Sequence, residues 1–138
     1  QNMAIFYKVI ERKDPRNPDG PGKFYASNVS FGVIETEKLA ENIAARSGHS
    51  VGQLTGLFQD YFRRIENYVV AGKTVSMAPL GTIIPAFNGL GSNTEEEYEP
   101  EYITKMKLNF RMSPSFRQKM QPAFHGQGGE VELRKWGE

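Results

Sequence analysis

The stretch VGQLTGLFQDYFRRIENYVV, residues 51–70, decides how the rest of the chain is read. Leu54, Leu57, Phe58, Tyr61, Phe62, Ile65, Tyr68 and Val69 recur at helical spacing and fall within one arc of about 140°. The charged residues Asp60, Arg63, Arg64 and Glu66 fall outside that arc. Just before it, Ser50-Val51-Gly52-Gln53 has the form of a capping box, in which side chain and backbone of the first and fourth residues bond reciprocally. Gly72 ends the helix. Working back, Thr36 is the expected N-cap of an earlier helix, with Leu39, Ala40, Ile43 and Ala44 on its apolar side and Gly48 as its stop. A helix–turn–helix pair follows from this order.

Working forward, residues 73–77 (KTVSM) alternate as a strand, Pro79-Leu80-Gly81 turns the chain, and residues 82–87 (TIIPAF) return as a second strand. Residues 88–101 (NGLGSNTEEEYEPE) offer no core residue and read as a loop or mobile arm. Residues 103–111 alternate again. Ile103, Met106, Leu108 and Phe110 are apolar, while Lys105, Lys107, Asn109 and Arg111 are polar, with only the 104–106 entrance off register. A period of two places the three bases on one sheet face. Ser113 then caps a short helix with Pro114 at its first position, Phe116 and Met120 facing inward, and Pro122 as its stop.

Both ends extend this unit. Residues 4–12 (AIFYKVIER) and 24–34 (FYASNVSFGVI) read as strands, the second bulged at Gly32, joined by a loop rich in Pro and Gly. Residues 125–138 (HGQGGEVELRKWGE) are Gly-rich, so a flexible tail is expected, with Val131, Leu133 and Trp136 available for a late strand. The expected organisation is a strand–loop–strand extension over 3–35, a helix–sheet domain over 36–121 and a tail over 122–138. Gln1 and Asn2 before Met3 read as a remnant of vector sequence and are set aside.

Composition bounds the chemistry. The chain has 138 residues, 38% apolar and 24% charged, which suits one globular domain rather than a disordered chain. No apolar run is long enough for a membrane span, and no cationic, apolar leader opens the sequence, so neither membrane nor secretion is expected. With no cysteine, disulfides, thiolate metal sites and cysteine nucleophiles are excluded. The net charge is +1, so a charged partner must be met by a local patch. That patch lies over 102–121, where Lys105, Lys107, Arg111, Arg117 and Lys119 occur with no acid; just before it stand Glu95, Glu96, Glu97, Glu99 and Glu101. An ordinary solvated sheet face is the plain alternative for Lys105, Lys107 and Arg111, but a basic run with no acid exceeds what solubility requires. His49 and His125 lack paired spacing or a carboxylate partner, the acidic run lacks calcium-loop spacing, Gly89-Leu90-Gly91 is too short for a phosphate loop, and no nucleophile elbow occurs. No enzyme, metal or cofactor is expected.

A helix pair, two paired strands, an arm, a basic strand and a short last helix form a specific order. The residues that carry it are LAENIAARSGHS (39–50), the amphipathic 51–70, AGKTVSMAPLGTI (71–83) and TKMKLNFRMSPSFRQKM (104–120). In these the sequence resembles the HU/IHF family of histone-like nucleoid proteins. The Gly72-Lys73 turn, the strand–turn–strand around Gly81 and Phe110-Arg111 before the last helix are the most telling points. The strands before it and the Gly-rich tail after it resemble an extended HU-like branch.

The resemblance implies an α+β fold and an intertwined homodimer whose two sheets form a saddle. The aromatic-rich stripe of residues 51–70 independently calls for more surface than one chain offers, and Leu54, Leu57, Phe58, Tyr61, Phe62, Ile65 and Phe110 are the expected dimer core. Lys105, Lys107 and Arg111 are expected on the concave face, with Ser113, Arg117 and Lys119 near the capped start of the last helix. By resemblance, Arg111 and Arg117 take the place of phosphate-contacting bases, and Gly81 and Thr82 that of a tight turn near the DNA backbone. The implied function is architectural, largely sequence-independent duplex DNA binding and condensation in a bacterial-type nucleoid, in the cytoplasm. The arm departs from the family's pattern, which has a basic arm with a proline wedge. Here its only proline, Pro100, lies between Glu99 and Glu101, and Ala86, Asn88, Pro79 and Leu80 replace the usual residues at its base and turn. The alternative is an HU-fold dimeric interaction protein with weakened DNA binding, whose protein partner meets the N-terminal strands or the tail.

Overall fold

A computed structural model describes residues 4–137, which leaves the reading of Gln1 and Asn2 outside the described residues. The chain divides into two units. Ile34–Phe116 form one, and the flanking segments Gln1–Val33 and Arg117–Glu138 form the other.

In the first unit, α1 (Thr36–Ser47) packs on α2 (Val51–Val70). Thr36 does not cap α1. Glu35 holds that position with extended backbone and no side-chain bond, and its carbonyl accepts from Lys38 and Leu39 N–H. Gly48 ends α1 in the left-handed region at φ 78°, where a Cβ would be strained. The capping box at α2 is complete. Gln53 N–H donates to Ser50 Oγ at 3.1 Å and Ser50 N–H to Gln53 Oε1 at 3.2 Å. At the far end Gly72 N–H reaches the Val69 carbonyl and Lys73 N–H the Tyr68 carbonyl, a paired closure that needs the positive φ of Gly72.

The sheet of this unit has the order β3–β4–β5 and is wholly antiparallel, formed by β3 (Val75–Met77), β4 (Gly81–Gly89) and β5 (Ile103–Met112). β3 is shorter and β4 longer than the sequence pattern predicts. The register slips once, between Asn88 opposite Lys105 and Gly89 opposite Ile103. Thr104 is the extra residue, which accounts for the break in alternation at 104–106. Ser113 caps the six-residue α3 (Pro114–Lys119), accepting from Phe116 N–H at 3.1 Å.

The second unit is a sheet of order β2–β1–β6, with β1 (Ala4–Arg12), β2 (Lys23–Val29) and β6 (Glu132–Lys135). β2 stops at Val29, short of the expected residue 34. Gly32 lies beyond the strand at φ 115°, its N–H donating to the Ser30 hydroxyl, and so forms no bulge in β2. β1 and β2 form an antiparallel hairpin, while β6 joins β1 in parallel, Ala4 opposite Glu132 and Phe6 opposite Arg134. The described part of the tail, residues 122–137, therefore carries ladder hydrogen bonds where a flexible tail over 122–138 was expected. Glu130 and Val131 N–H donate to the Lys119 and Gln121 carbonyls, Ala123 N–H to the Val131 carbonyl, and Trp136 N–H to the Tyr7 carbonyl at 2.8 Å. These bonds draw residues 117–121 into this unit rather than into the helix–sheet unit that the 36–121 boundary assigned them to. The Trp136 ring meets Phe6 and Phe31 at centroid distances of 5.9 and 5.4 Å.

Burial is sparse. Among the described residues the buried apolar side chains are Ala40, Leu54 and Val131. The chain exposes 11427 Å², whereas two separately folded units of these sizes would expose about 8,700 Å² together.

Candidate nucleic-acid interface

Register fixes the two faces of the β3–β4–β5 sheet. Arg111 lies opposite Thr82, Asn109 opposite Ile84, Lys107 opposite Ala86 and Lys105 opposite Asn88, while Ser76 lies opposite Thr82 on the other side. Paired residues share a face. One face therefore carries Lys105, Lys107, Asn109 and Arg111 in a row, flanked on β4 by Thr82, Ile84, Ala86 and Asn88 and without an acid. All four are exposed. Among the described residues none of the three cations is in an ion pair; the pairs present are Lys38–Glu41, Asp60–Arg64 and Glu132–Arg134.

The opposite face carries Ile83, Pro85, Phe87, Met106, Leu108 and Phe110. It is apolar yet uncovered, with Phe87 64%, Met106 58% and Leu108 56% exposed. The α2 stripe is similar. Leu54 is buried against α1, but Leu57 is 63% exposed and Tyr61, Phe62 and Tyr68 also face outward. An open cleft between the helices is lined by Leu39, Ile43, Leu57, Phe58, Tyr61 and Phe62.

The other expected site residues divide. Thr82 belongs to the basic face, opposite Arg111. Gly81 is buried, and a Cβ there would meet the Arg111 carbonyl oxygen and come within 2.6 Å of the Phe110 ring. Its glycine is required by the close approach of β4 to β5. Ser113 is committed internally, its hydroxyl donating to the Pro79 carbonyl at 2.6 Å while its N–H donates to the Leu80 carbonyl. It ties the β3–β4 turn to the start of α3. Arg117 and Lys119 stand in the last turn of α3 rather than at its start. Asn109, at the middle of the basic row, was passed over among the site residues although strict alternation already placed it there. Met106 and Leu108 were read as apolar alternates of Phe110 yet, like Phe87, left out of the expected dimer core.

The arm between β4 and β5 has local structure. Glu97 N–H donates to Thr94 Oγ1, a short 3₁₀ turn runs over Pro100–Tyr102, and the Tyr98 and Tyr102 rings meet edge to face at 5.3 Å. Its five glutamates are exposed and are in none of the ion pairs named above. His49 lies in the turn between α1 and α2, its N–H on Ser47 Oγ, and His125 stacks edge-on to Phe124. Among the described residues no cluster of three or more His, Asp or Glu is placed to hold a metal ion, and no helix is long and apolar enough to cross a membrane.

With the helix pair, the three-stranded sheet and the arm in place, the comparison with known families is decisive. The chain belongs to the HU-HIG family, described as an HU domain fused to a winged helix–turn–helix, Ig or glycine-rich motif, whose model matches residues 3–125. A solved structure that shares the fold is that of a Bacteroides vulgatus protein provisionally assigned as a bacterial DNA-binding protein. It superposes with a TM-score of 0.61 at 10% identity, over 98% of this chain and 49% of that one, so this chain spans about half of its length. Comparison with curated proteins found no match.

Proposed function

We propose that the protein is a homodimeric, architectural DNA-binding protein that holds duplex DNA by its phosphates, largely without regard to sequence, and acts in the nucleoid. The observation that carries this reading is the row Lys105, Lys107, Asn109 and Arg111, exposed and free of carboxylate partners, on a sheet whose other face is apolar and uncovered. Charges that face phosphates attract without reading bases, because base edges and not phosphates carry the sequence. The apolar underside with Phe110, together with Leu57, Phe58, Tyr61, Phe62 and Ile65 of α2, supports a second copy of the chain as its cover. An isologous pair would hide the same patch on both chains and present the basic row twice. The provisional DNA-binding assignment of the structural neighbour points the same way.

An anisotropy titration of labelled duplex DNA tests this. Three cations per chain, or six per dimer, give an expected slope of log affinity on log salt near −5, so affinity falls about 10³-fold between about 50 and 200 mM salt. The triple variant K105E/K107E/R111E is expected to abolish duplex binding while sedimentation still reports a dimer. A wild-type protein that ignores duplex DNA at low salt, yet sediments as a dimer, would establish the interaction-protein reading, with the five arm glutamates repelling phosphate.

A further inference from the structure

We infer that the β2–β1–β6 sheet carries a second nucleic-acid surface, suited to single-stranded DNA. Its register places Phe6, Lys8, Ile10 and Arg12 of β1 on one face, with Tyr25 opposite Ile10 and Lys23 opposite Arg12. Trp136 and Phe31 join that face at the Phe6 end, where the three rings make edge-to-face and tilted contacts at 5.2 to 5.9 Å.

Charge and exposure favour an anionic polymer with bare bases. Lys8, Arg12 and Lys23 are exposed and without an ion pair among the described residues. Arg12 and Lys23 are direct cross-strand neighbours, an arrangement of like charges that destabilises a hairpin and is relieved by a bound anion. Arg12 lies 5.9 Å from the Tyr25 ring centre, which settles its guanidinium on the same face. Of the nearby carboxylates, Glu132 on the same face opposite Ala4 is taken up by Arg134 Nε at 2.9 Å, and Asp14 in the adjoining loop accepts from Arg16 N–H at 2.9 Å; neither makes an ion pair with Lys8, Arg12 or Lys23. Aromatic rings on this face remain open, Tyr25 among the charges at 47% exposed and Trp136 and Phe31 at the Phe6 end at 55% and 66%.

The strip from Phe6 to Arg12 runs about 20 Å along the strand. A duplex hides its bases and has no use for exposed rings among cations, whereas an unpaired strand stacks bases on such rings and lays its phosphates on the cations. The basic row on β5 has no aromatic residue, so the two sheets differ in the form of nucleic acid they suit. The choice of DNA rests on the function proposed above; the geometry of the site does not.

The test uses the full chain, fluorescein-labelled dT12 and the K105E/K107E/R111E variant as background. In that background dT12 binding is expected to persist and to quench the emission of Trp136, the one tryptophan in the chain. R12E/K23E is expected to lose at least about tenfold in affinity, and Tyr25→Ala about tenfold, while Tyr25→Phe retains it. Circular dichroism of R12E/K23E should be unchanged, since both side chains are exposed. The inference is overturned if dT12 leaves Trp136 emission unaltered, if the β5 variant loses dT12 as fully as it loses duplex, or if R12E/K23E binds like the parent. It is equally overturned if a 12-base-pair duplex, or rU12, competes in the β5 variant as well as dT12 does. Loss of duplex binding alone in the β5 variant leaves this surface standing, so the two readings fail separately.

Discussion

The two sheets of the molecule both carry a row of exposed cations, without an aromatic ring among them in β3–β4–β5 and with aromatic rings on the same face in β2–β1–β6, and they are put together in opposite ways. In β3–β4–β5 every pairing joins strands consecutive in the sequence, and all are antiparallel. In β2–β1–β6 the hairpin is local, but the third strand comes from the other end of the chain and runs parallel to β1. A parallel neighbour cannot follow a tight turn, and closing so long a loop has its entropy opposed by whatever holds the two ends. Here that is a short ladder, the Trp136–Phe6–Phe31 cluster and Val131. The helix–sheet unit instead relies on Ala40 and Leu54 between its helices, and leaves the larger part of its apolar surface open. One sheet is thus completed by strands from both ends of the chain, and the other keeps an apolar face uncovered.

The largest effect that can break this comparison is in the helix pair. Leu54→Ala removes a buried side chain with few neighbours to share the loss, and is expected to destabilise the helix–sheet unit by about 2–5 kcal/mol. Read by amide exchange, protection should fall in α1 and α2 while the β1–β2 ladder keeps its own. A uniform loss through both sheets would mean that the two units unfold as one.

Next is the closure of the other sheet. Trp136→Ala takes away both ring contacts and loosens a strand of only four residues. Because the ring is half exposed, the expected loss is about 1–3 kcal/mol, below that for a fully buried aromatic. The readout is faster exchange of the Trp136 amide, which donates to the Tyr7 carbonyl, with α2 unaffected. Smaller again is Ser50→Ala, which removes one half of the capping box and is expected to lower the stability of the helix–sheet unit by about 1 kcal/mol. Thermal unfolding should show it, and Ser50→Asp should recover most of it.

What could be read from the sequence follows the same division. The capping box at Ser50, the Gly48 and Gly72 stops and the alternation of β5 are local devices, and each stands where the pattern puts it. Even the irregular entrance at Thr104 was visible as a slip in period. The cations of β5 came with the strand, because alternation alone assigns a face. Gly81, with Thr82, was assigned by resemblance to a backbone-facing turn, and Ser113 to the capped start of the last helix; the close packing of Gly81 and the bond from Ser113 to the Pro79 carbonyl depend on where β4 meets β5 and could not be seen in either strand alone. The pairing of β6 with β1 was hidden for a stronger reason. Gly126, Gly128 and Gly129 suggest a loose end, and nothing local to residues 132–135 names a partner at the far end of the chain. The basic face of β1 and β2 stayed hidden with it, since Lys8, Arg12 and Lys23 lie in segments that also hold Glu11, Asp14 and Asp19, and only the register turns Glu11 to the opposite face.

The smallest effect sharpens the contrast between stability and binding on that face. Glu132 accepts from Arg134 Nε at 2.9 Å, and this carboxylate raises the Arg134 guanidinium above its ordinary pKa. The pair is fully exposed, where solvent screens the attraction and ordering two side chains offsets it. Glu132→Gln is therefore expected to leave the thermal midpoint of the β2–β1–β6 sheet unchanged. The raised pKa belongs to a group that stays charged on either side of the substitution, so no pH dependence should appear near neutrality. Binding is another matter. Arg134 stands opposite Phe6, on the face that carries Lys8 and Arg12, and freeing it adds one cation to the strip. Affinity for dT12 should rise about twofold and the salt slope steepen by about 0.7, the increment for one more phosphate neutralised on a single strand. Duplex binding through β5 should not move. A stability change without a change in dT12 affinity would mark Glu132–Arg134 as a strut of the sheet and remove Arg134 from the strip.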